Sequence, residues 1–269
     1  MDNKKTYIIA EIGVNHDSNY ETAIELTYEA YMAGADAVKF QAWGEDHFPA
    51  IEHLRLPDGD LYNLQIYAES LGLDWFCTPF DFWSIDFLAE LGMTIWKIPS
   101  GKLTNREYLD RVMSKHPVKI VASTGMSMFY EIYQFINIMI FNERLYGLDF
   151  FTLECNTEYP TPYCNVRLPI FNDDPSWNDV IFQGLSDHTS GIEIPIAAVA
   201  RGAKIIEKHI TMDRDADGPD HKASIEPDQF KMMVTMIRNV EKALKNTSKE
   251  PTDAELAVKD EILSVMESN

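Results

Sequence analysis

The chain alternates eight times between a short apolar or β-branched run and a longer segment with helical periodicity. This alternation is typical of a parallel sheet in which a helix follows each strand. The predicted strands are Tyr7–Glu11, Ala37–Gln41, Trp75–Cys77, Ile95–Ile98, Val118–Ala122, Phe150–Glu154, Val180–Phe182 and Ile205–Ile206. The predicted helices are Tyr20–Gly34, Leu61–Leu71, Ser84–Leu91, Arg106–Ser114, Phe129–Phe141, a poorly defined stretch from Val166, Gly191–Gly202 and Pro227–Leu244. Eight such units predict an α/β fold, the (β/α)₈ TIM barrel.

An open, doubly wound parallel sheet is the alternative architecture. Sheets of that type usually carry a glycine-rich fingerprint after the first strand. Here the first strand continues into Glu11–His16, a segment without that fingerprint. We therefore predict a single TIM-barrel domain over residues 1–246. An acidic C-terminal tail over residues 247–269 should be weakly helical between Ala254 and Met266.

The composition excludes several classes of partner. A formal net charge of −20 argues against nonspecific nucleic-acid binding, because the phosphate backbone attracts basic surfaces. No apolar run approaches the ~20 residues that a membrane span needs, and the N-terminus lacks a signal-peptide pattern. Three cysteines are an odd number without metal-type spacing, which favours reduced thiols. We expect a cytoplasmic protein with no nucleic-acid or membrane partner.

Polar side chains occur at or just after the carboxyl end of every predicted strand. In a parallel barrel these ends share one face, and active sites of such barrels lie on that face. The candidate site residues placed there are Glu11, Lys39, Gln41, Thr78, Lys97, Ser100, Ser123, Thr157, Tyr159, Ser186, His188 and His209. Clustering at one end is stronger evidence for a site than any one of these residues.

Two histidines form a candidate metal site. His188 and His209 follow the seventh and eighth strands, and neighbouring strands lie ~5 Å apart. Two imidazoles at this spacing can hold a divalent ion and leave positions open for water or substrate. Asp187 and Glu207 are candidates for orienting the imidazoles. His221 is a weaker candidate for a third ligand; its polar loop could instead cover the site.

Lysines and hydroxyls at the same face suit a phosphorylated carboxylic acid. A lysine inside a barrel strand is costly unless it is paired or used, so Lys39 and Lys97 are candidates for neutralising anionic oxygens. Either lysine could alternatively form a Schiff base with a carbonyl substrate. The turn Ser123–Met126 either caps a helix or offers free N–H groups to a phosphate.

At these residues the chain resembles the N-acetylneuraminate (sialic acid) synthase family. The resemblance covers roughly residues 7 to 245, and its motifs occur in the family's order. The matching stretches are Ala10–His16, Val38–Gln41, Cys77–Asp81, Lys97–Gly101, Ser123–Met126, Glu158–Pro162, Gly184–Thr189, Glu207–His209 and Gly218–His221. Each stretch alone is weak, whereas the nine together are highly specific.

The resemblance implies a condensation of phosphoenolpyruvate with an open-chain N-acetylated aldose, such as N-acetylmannosamine. The products would be a nine-carbon 2-keto sugar acid and phosphate. It implies that His188 and His209 hold Mn²⁺ or Mg²⁺, that Glu11 handles a proton, and that Tyr159 and Asp220 contact the sugar or support the site. The residues implied for phosphoenolpyruvate are Lys39, Thr78, Lys97, Ser100, Ser123 and Ser186; Gln41 and Thr157 complete the predicted substrate-binding set.

Three departures from the family pattern concern the acceptor half of this reaction. The family usually has a C-terminal antifreeze-like domain that is swapped across a homodimer, and the 269 residues contain no such domain. We therefore expect a separate cap polypeptide, a different way of binding the acceptor, or loss of activity. Lys102 stands where an acidic residue is common, and Thr157 stands where some members have asparagine. A Schiff-base pyruvate aldolase and a non-catalytic barrel subunit that binds phosphoenolpyruvate remain alternatives.

Overall fold

A computed structural model describes residues 5–45, 47–171, 182–245 and 248–267. Its eight strands all run parallel in one sheet. They are β1 (Tyr7–Gly13), β2 (Ala37–Ala42), β3 (Asp74–Pro79), β4 (Ile95–Ile98), β5 (Lys119–Ser123), β6 (Asp149–Cys155), β7 (Gly184–Asp187) and β8 (Ile205–His209). The helices are α1 (Tyr20–Ala33), α2 (Asp58–Ser70), α3 (Phe82–Glu90), α4 (Arg106–Met113), α5 (Phe129–Tyr146), α6 (Glu193–Ala200), α7 (Pro227–Ala243) and α8 (Asp253–Glu267).

The strands follow one another in the order β3-β2-β1-β8-β7-β6-β5-β4. Pairing of β1 with β8 brings the first and last strands together, as a barrel requires. The two outer strands of this order, β3 and β4, also contact each other and complete the circle. The predicted (β/α)₈ TIM barrel is therefore confirmed.

Short local signals begin and end the helices around this barrel. Asn19 caps α1 by accepting a hydrogen bond from the Thr22 amide, and Gly34 ends it with a φ of +87° that glycine adopts without strain. Asp81 caps α3 in a reciprocal capping box with Ser84. The apolar residues of strands and helices form one continuous buried core. This core holds the carboxyl ends of the strands at one face.

Two segments differ from the sequence prediction, and a third agrees with it. The seventh strand is Gly184–Asp187, which begins after the predicted run at Val180–Phe182; residues 180 and 181 lie outside the described residues. After β6, where a helix from Val166 was predicted, the chain forms a short 3₁₀ turn at Leu168–Ile170 before residues 172–181, which are likewise outside the description. The tail is helical as predicted, and the described side chains of α8 are exposed.

Throughout the described ranges we find no helix with the length and apolar character needed to cross a bilayer.

Candidate active site

The alternation of β7 and β8 decides which side chains meet at the mouth of the barrel. Successive residues of a strand point to opposite faces. Ser186, Glu207 and His209 accordingly lie on the inner face, where Ser186 Oγ donates to Glu207 Oε1 at 2.8 Å. Asp187 and Lys208 lie on the opposite face and pair with each other, with 2.7 Å between Lys208 Nζ and Asp187 Oδ2. Lys208 also donates to the carbonyl of Thr189.

A network of buried charges fills the inner face below the mouth. Lys97 Nζ lies 2.6 and 2.8 Å from the two carboxylate oxygens of Glu207. Lys39 Nζ lies 2.7 Å from Glu11 Oε2 and 3.6 Å from Glu207 Oε2, and it donates to Thr78 Oγ1 at 3.0 Å. These contacts join side chains from β1, β2, β3, β4 and β8, so Glu207 and Lys39 connect opposite parts of the barrel.

Burial and neighbouring charges set the protonation of this network. Burial alone would raise the pKa of Glu207, but the ammonium groups of Lys39 and Lys97 hold that pKa well below its usual range. Burial raises the pKa of Glu11 to about 7; Lys39 opposes this shift and Glu207 adds to it. Glu207 is thus a fixed anion, whereas Glu11 can gain or lose a proton near neutral pH.

The ion pair of Lys97 with Glu207 gives a stability prediction. Replacing Lys97 with methionine would leave Glu207 buried with only the more distant Lys39 to compensate its charge, because both of its short ionic contacts come from Lys97. We expect the free energy of unfolding, measured by urea denaturation, to fall by about 3–5 kcal/mol. Lys102→Met is the matched control, since Lys102 is half-buried beside the Tyr108 ring. A loss below about 1 kcal/mol for Lys97→Met would contradict the expectation.

The two predicted histidines do meet at the mouth. The ring centroids of His188 and His209 are 5.4 Å apart. Nδ1 of His188 lies 2.5 Å from the carbonyl oxygen of Asn156, and its Nε2 lies 2.8 Å from the hydroxyl of Tyr159. Because a carbonyl can only accept, Nδ1 carries the proton and Nε2 presents its lone pair. The Tyr159 ring stacks on the His188 ring with 4.0 Å between their centroids. Because the Tyr159 hydroxyl contacts the lone pair of Nε2, it marks the position that a ligand of His188 would take.

This pair suits a divalent cation. Burial lowers the pKa of His188. Burial also lowers the pKa of His209 well below its usual value, and the nearby His188 and Lys39 add to that shift. Metal ligation needs neutral imidazole, and a ligating histidine commonly donates its other N–H to a backbone carbonyl, as His188 does. Nδ1 of His209 is buried without a hydrogen-bond partner. The described residues contain no group of three or more His, Cys, Asp or Glu side chains placed to hold a metal. The fit of this pair to a cation therefore rests on its two neutral imidazoles and on the unpaired Nδ1 of His209.

The remaining predicted residues lie around the network and the histidine pair. Gln41 Nε2 donates to Glu11 Oε1 at 3.2 Å, and Asp220 Oδ2 lies 3.8 Å from Nδ1 of His209. A side chain at Gly13 would come within 3.1 Å of both Asp220 Oδ2 and Glu11 Oε1, so glycine leaves room for these groups. The loops after β1 and β8 therefore face each other across the mouth.

A second cluster forms where the loops after β4, β5 and β6 converge. The Gly125 amide donates to Ser100 Oγ at 3.0 Å, and a Cβ at Gly125 would lie 2.7 Å from Thr157 Cγ2. Ser123 Oγ is buried without a hydrogen-bond partner. A hydroxyl left unpaired in this way is costly unless a ligand or water binds it, which suits the anion predicted for this turn.

Three sequence-based interpretations need correction. Asp187 was predicted to orient an imidazole, but it bonds Thr189 and Lys208 on the opposite face of the strand. Glu207 was predicted for the same role, but it binds Lys97 and Ser186. His221 is not a third ligand, because its ring nitrogens contact Thr211 and Asp17.

Sequence reasoning missed the orienting partner of His188 and the central position of Glu207. The carbonyl of Asn156 is a backbone atom, so no residue type indicates it. For Glu207 a signal existed: it is two residues before His209 and therefore shares its face of the strand. Lys102 stands where the family commonly has an acidic residue, and its ammonium lies 5.6 Å from the centroid of the Tyr108 ring.

The sequence profile of the NeuB family matches residues 44–249, which is most of the chain. The chain belongs to the NeuB family. It is 39% identical to an N,N'-diacetyllegionaminic acid synthase of Campylobacter jejuni over 94% of this chain and 81% of that protein. It is 38% identical to the enzyme of the same name from Legionella pneumophila, over 94% of this chain and 77% of that protein.

A solved structure with the same architecture comes from Leptospira borgpetersenii. It is an N-acetylneuraminic acid (sialic acid) synthetase in complex with citrate, and it superposes with a TM-score of 0.84 at 30% identity. The alignment covers 98% of this NeuB-family chain and 93% of that one. These three relatives are named as synthases of legionaminic and sialic acids, in agreement with the resemblance found in the sequence.

Proposed function

We propose that this NeuB-family chain condenses phosphoenolpyruvate with an N-acetylated aldose to give a sialic-type nonulosonic acid and phosphate. The observation that carries the proposal is the position of the buried Lys39–Glu207–Lys97 network directly below two neutral imidazoles. The lysines of the network can hold an anionic donor. The two imidazoles above them can hold the ion that activates an acceptor. The names of the relatives support the same chemistry.

The balance of charge supports a role for a divalent cation, Mn²⁺ or Mg²⁺. At the mouth two lysines, Lys39 and Lys97, face three carboxyl groups, those of Glu11, Glu207 and Asp220. Whenever Glu11 is ionised, this set carries one net negative charge, and a phosphorylated carboxylate would enter against it unless a cation came with it. His188 and His209 are the residues that would hold this ion. When bound, it supplies Lewis-acid polarisation of the acceptor's aldehyde oxygen.

The chain's own residues account for the remaining requirements of the reaction. C3 of the donor must bond to the aldehyde carbon, water must add at C2, and the bond from C2 to the phosphate oxygen must break. Lys39, Lys97 and the unpaired hydroxyl of Ser123 would hold the carboxylate and phosphate and stabilise the departing phosphate. Glu11, whose pKa is raised to about 7, would take the proton of the added water at its carboxylate.

The alternative functions receive less support from the same contacts. A Schiff base needs an unprotonated lysine, but the carboxylates of Glu11 and Glu207 outweigh burial and raise the pKa of Lys39. Burial lowers the pKa of Lys97, yet both oxygens of Glu207 hold its ammonium. A non-catalytic subunit would not need a proton-transfer group such as Glu11 beside two neutral imidazoles.

Phosphate release tests the proposal. The purified chain, supplied with Mn²⁺ and phosphoenolpyruvate, should release inorganic phosphate only when an aldose acceptor is present. Two acceptors should be compared: N-acetylmannosamine and a hexose with two acetamido groups, since the product named for two relatives carries two acetyl groups. Mass spectrometry should identify the nine-carbon acid.

Two controls separate this outcome from the alternatives. Pyruvate with borohydride should leave the protein mass unchanged, whereas a covalent adduct would indicate the aldolase. Donor binding should be measured by calorimetry with Mn²⁺ present. Tight donor binding without release from any acceptor, even with an added antifreeze-like cap polypeptide, would favour the non-catalytic subunit and contradict the proposal.

A further inference from the structure

The His221 side chain connects two loops at the mouth of the barrel. It is buried, with 2% of its surface exposed. Its Nδ1 lies 2.8 Å from Thr211 Oγ1, at the start of its own loop, and its Nε2 lies 3.2 Å from Asp17 Oδ1, in the loop after β1. The loop packs closely on this ring: a Cβ at Gly218 would come within 2.6 Å of His221 Cδ2. We call the contact of Asp17, His221 and Thr211 the His221 bridge.

A second contact joins the same two loops on the other side of Asp220. Asn15 Nδ2 donates to the carbonyl of Ile210 at 2.9 Å and to Ser224 Oγ at 2.8 Å. Ser224 Oγ in turn donates to the carbonyl of Asp220 at 2.7 Å. Asp220 is therefore fixed through its own backbone by Ser224 and through the adjoining residue by the His221 bridge.

The placement of Asp220 depends on these contacts. Its carboxylate lies 3.8 Å from His209 Nδ1 and fills the space that the missing side chain of Gly13 leaves. Many side chains between residues 212 and 219 are exposed, so the barrel core does not hold this part of the loop. Asp17 has a φ of +50°, a left-handed conformation that aspartate tolerates better than most residues, and this turn directs its carboxylate to the imidazole.

We propose that His221 and Asp17 are positioning residues, which hold the loop after β8 so that Asp220 faces the acceptor beside His209. This inference rests on the proposed function, since it assigns the bridge to the acceptor half of that reaction. Neither residue touches the Lys39–Glu207–Lys97 network in any contact described above. Loss of the bridge should therefore affect the acceptor more than phosphoenolpyruvate.

Asp17→Ala is the variant that tests the bridge. The Asp17 side chain is 46% exposed, so its removal should leave the fold intact. Asp17→Gly, which adopts the φ of +50° without strain, should reproduce the effect of Asp17→Ala. We expect the KM for the acceptor to rise roughly 10- to 100-fold, with the KM for phosphoenolpyruvate changed less than about twofold, because small displacements of a positioning group carry costs of this size. Asp17→Asn keeps an oxygen that can accept from His221 and should restore the KM for the acceptor.

Asp217→Ala is the matched control, because it removes an exposed carboxylate from the same loop. Hydrogen exchange over residues 211–224 provides a readout that does not depend on turnover. Exchange should become faster in Asp17→Ala and stay unchanged in Asp217→Ala and Asp17→Asn.

Several outcomes would overturn the inference. Unchanged exchange in Asp17→Ala would mean that the bridge does not hold the loop. Faster exchange with an unchanged KM for the acceptor would mean that the loop does not position Asp220, and an equal rise in both KM values would indicate a general effect. If the wild-type chain releases no phosphate with any acceptor, the proposed function fails and the acceptor role of the bridge fails with it. Faster exchange in Asp17→Ala would then show only that the bridge holds the loop.

Discussion

Replacing His209 with asparagine is expected to lower kcat/KM for phosphate release by about 10³-fold or more. His209 is buried, its Nδ1 has no hydrogen-bond partner, and its ring lies 5.4 Å from that of His188. Asparagine is shorter, so it would leave a single imidazole at the mouth. The proposed ion would then lose one of its two protein ligands.

Two measurements check this expectation independently. Calorimetry should find that Mn²⁺ affinity falls by more than about 100-fold, the upper range reported for residues that only support a ligand. Circular dichroism should show that the variant is folded. The matched control is His116→Asn, because His116 is exposed and has a φ of +52° that asparagine also tolerates. Unaltered Mn²⁺ binding in His209→Asn would contradict the two-histidine site.

The inward and outward directions of the site residues could be predicted from the sequence because strands have a period of two. Once Ile205–Ile206 is taken as a strand, His209 shares a face with Glu207, and Lys208 does not. The carboxyl ends of most strands could likewise be located, since a polar residue lies at or just after the end of each run. The family motifs then assigned an expected role to each of these residues.

What could not be predicted depends on contacts between distant parts of the chain. Lys97 and Glu207 are 110 positions apart, and nothing in either motif indicates that they pair. Asp187 was assigned to an imidazole because it is adjacent to His188 in sequence, but adjacent residues of a strand point to opposite faces. His221 and Asp17 are 204 positions apart in the sequence. Their contact shows that His221, a candidate metal ligand, instead connects two loops.

Gly184 gives the second prediction with a large effect. It pairs with Ile205 of β8 and with Leu153 of β6 in the sheet. A Cβ at this position would lie 2.4 Å from the carbonyl oxygen of Ile205 and 2.7 Å from both Ile205 Cβ and Leu153 Cδ2. Backbone and buried side chains on both sides cannot move away separately, because interiors are close-packed. The three strands would have to separate.

We therefore expect Gly184→Ala to lower the free energy of unfolding by about 3 kcal/mol or more, at the upper end for overpacking. Urea denaturation measures this change. Gly59→Ala is the control: Gly59 lies in the first turn of α2, a Cβ there would meet nothing within 4 Å, and alanine should be neutral or stabilising. A loss below about 1 kcal/mol in Gly184→Ala would contradict the close approach of β7 and β8. Because His188 directly follows β7 and His209 ends β8, the same variant should weaken Mn²⁺ binding even where it remains folded.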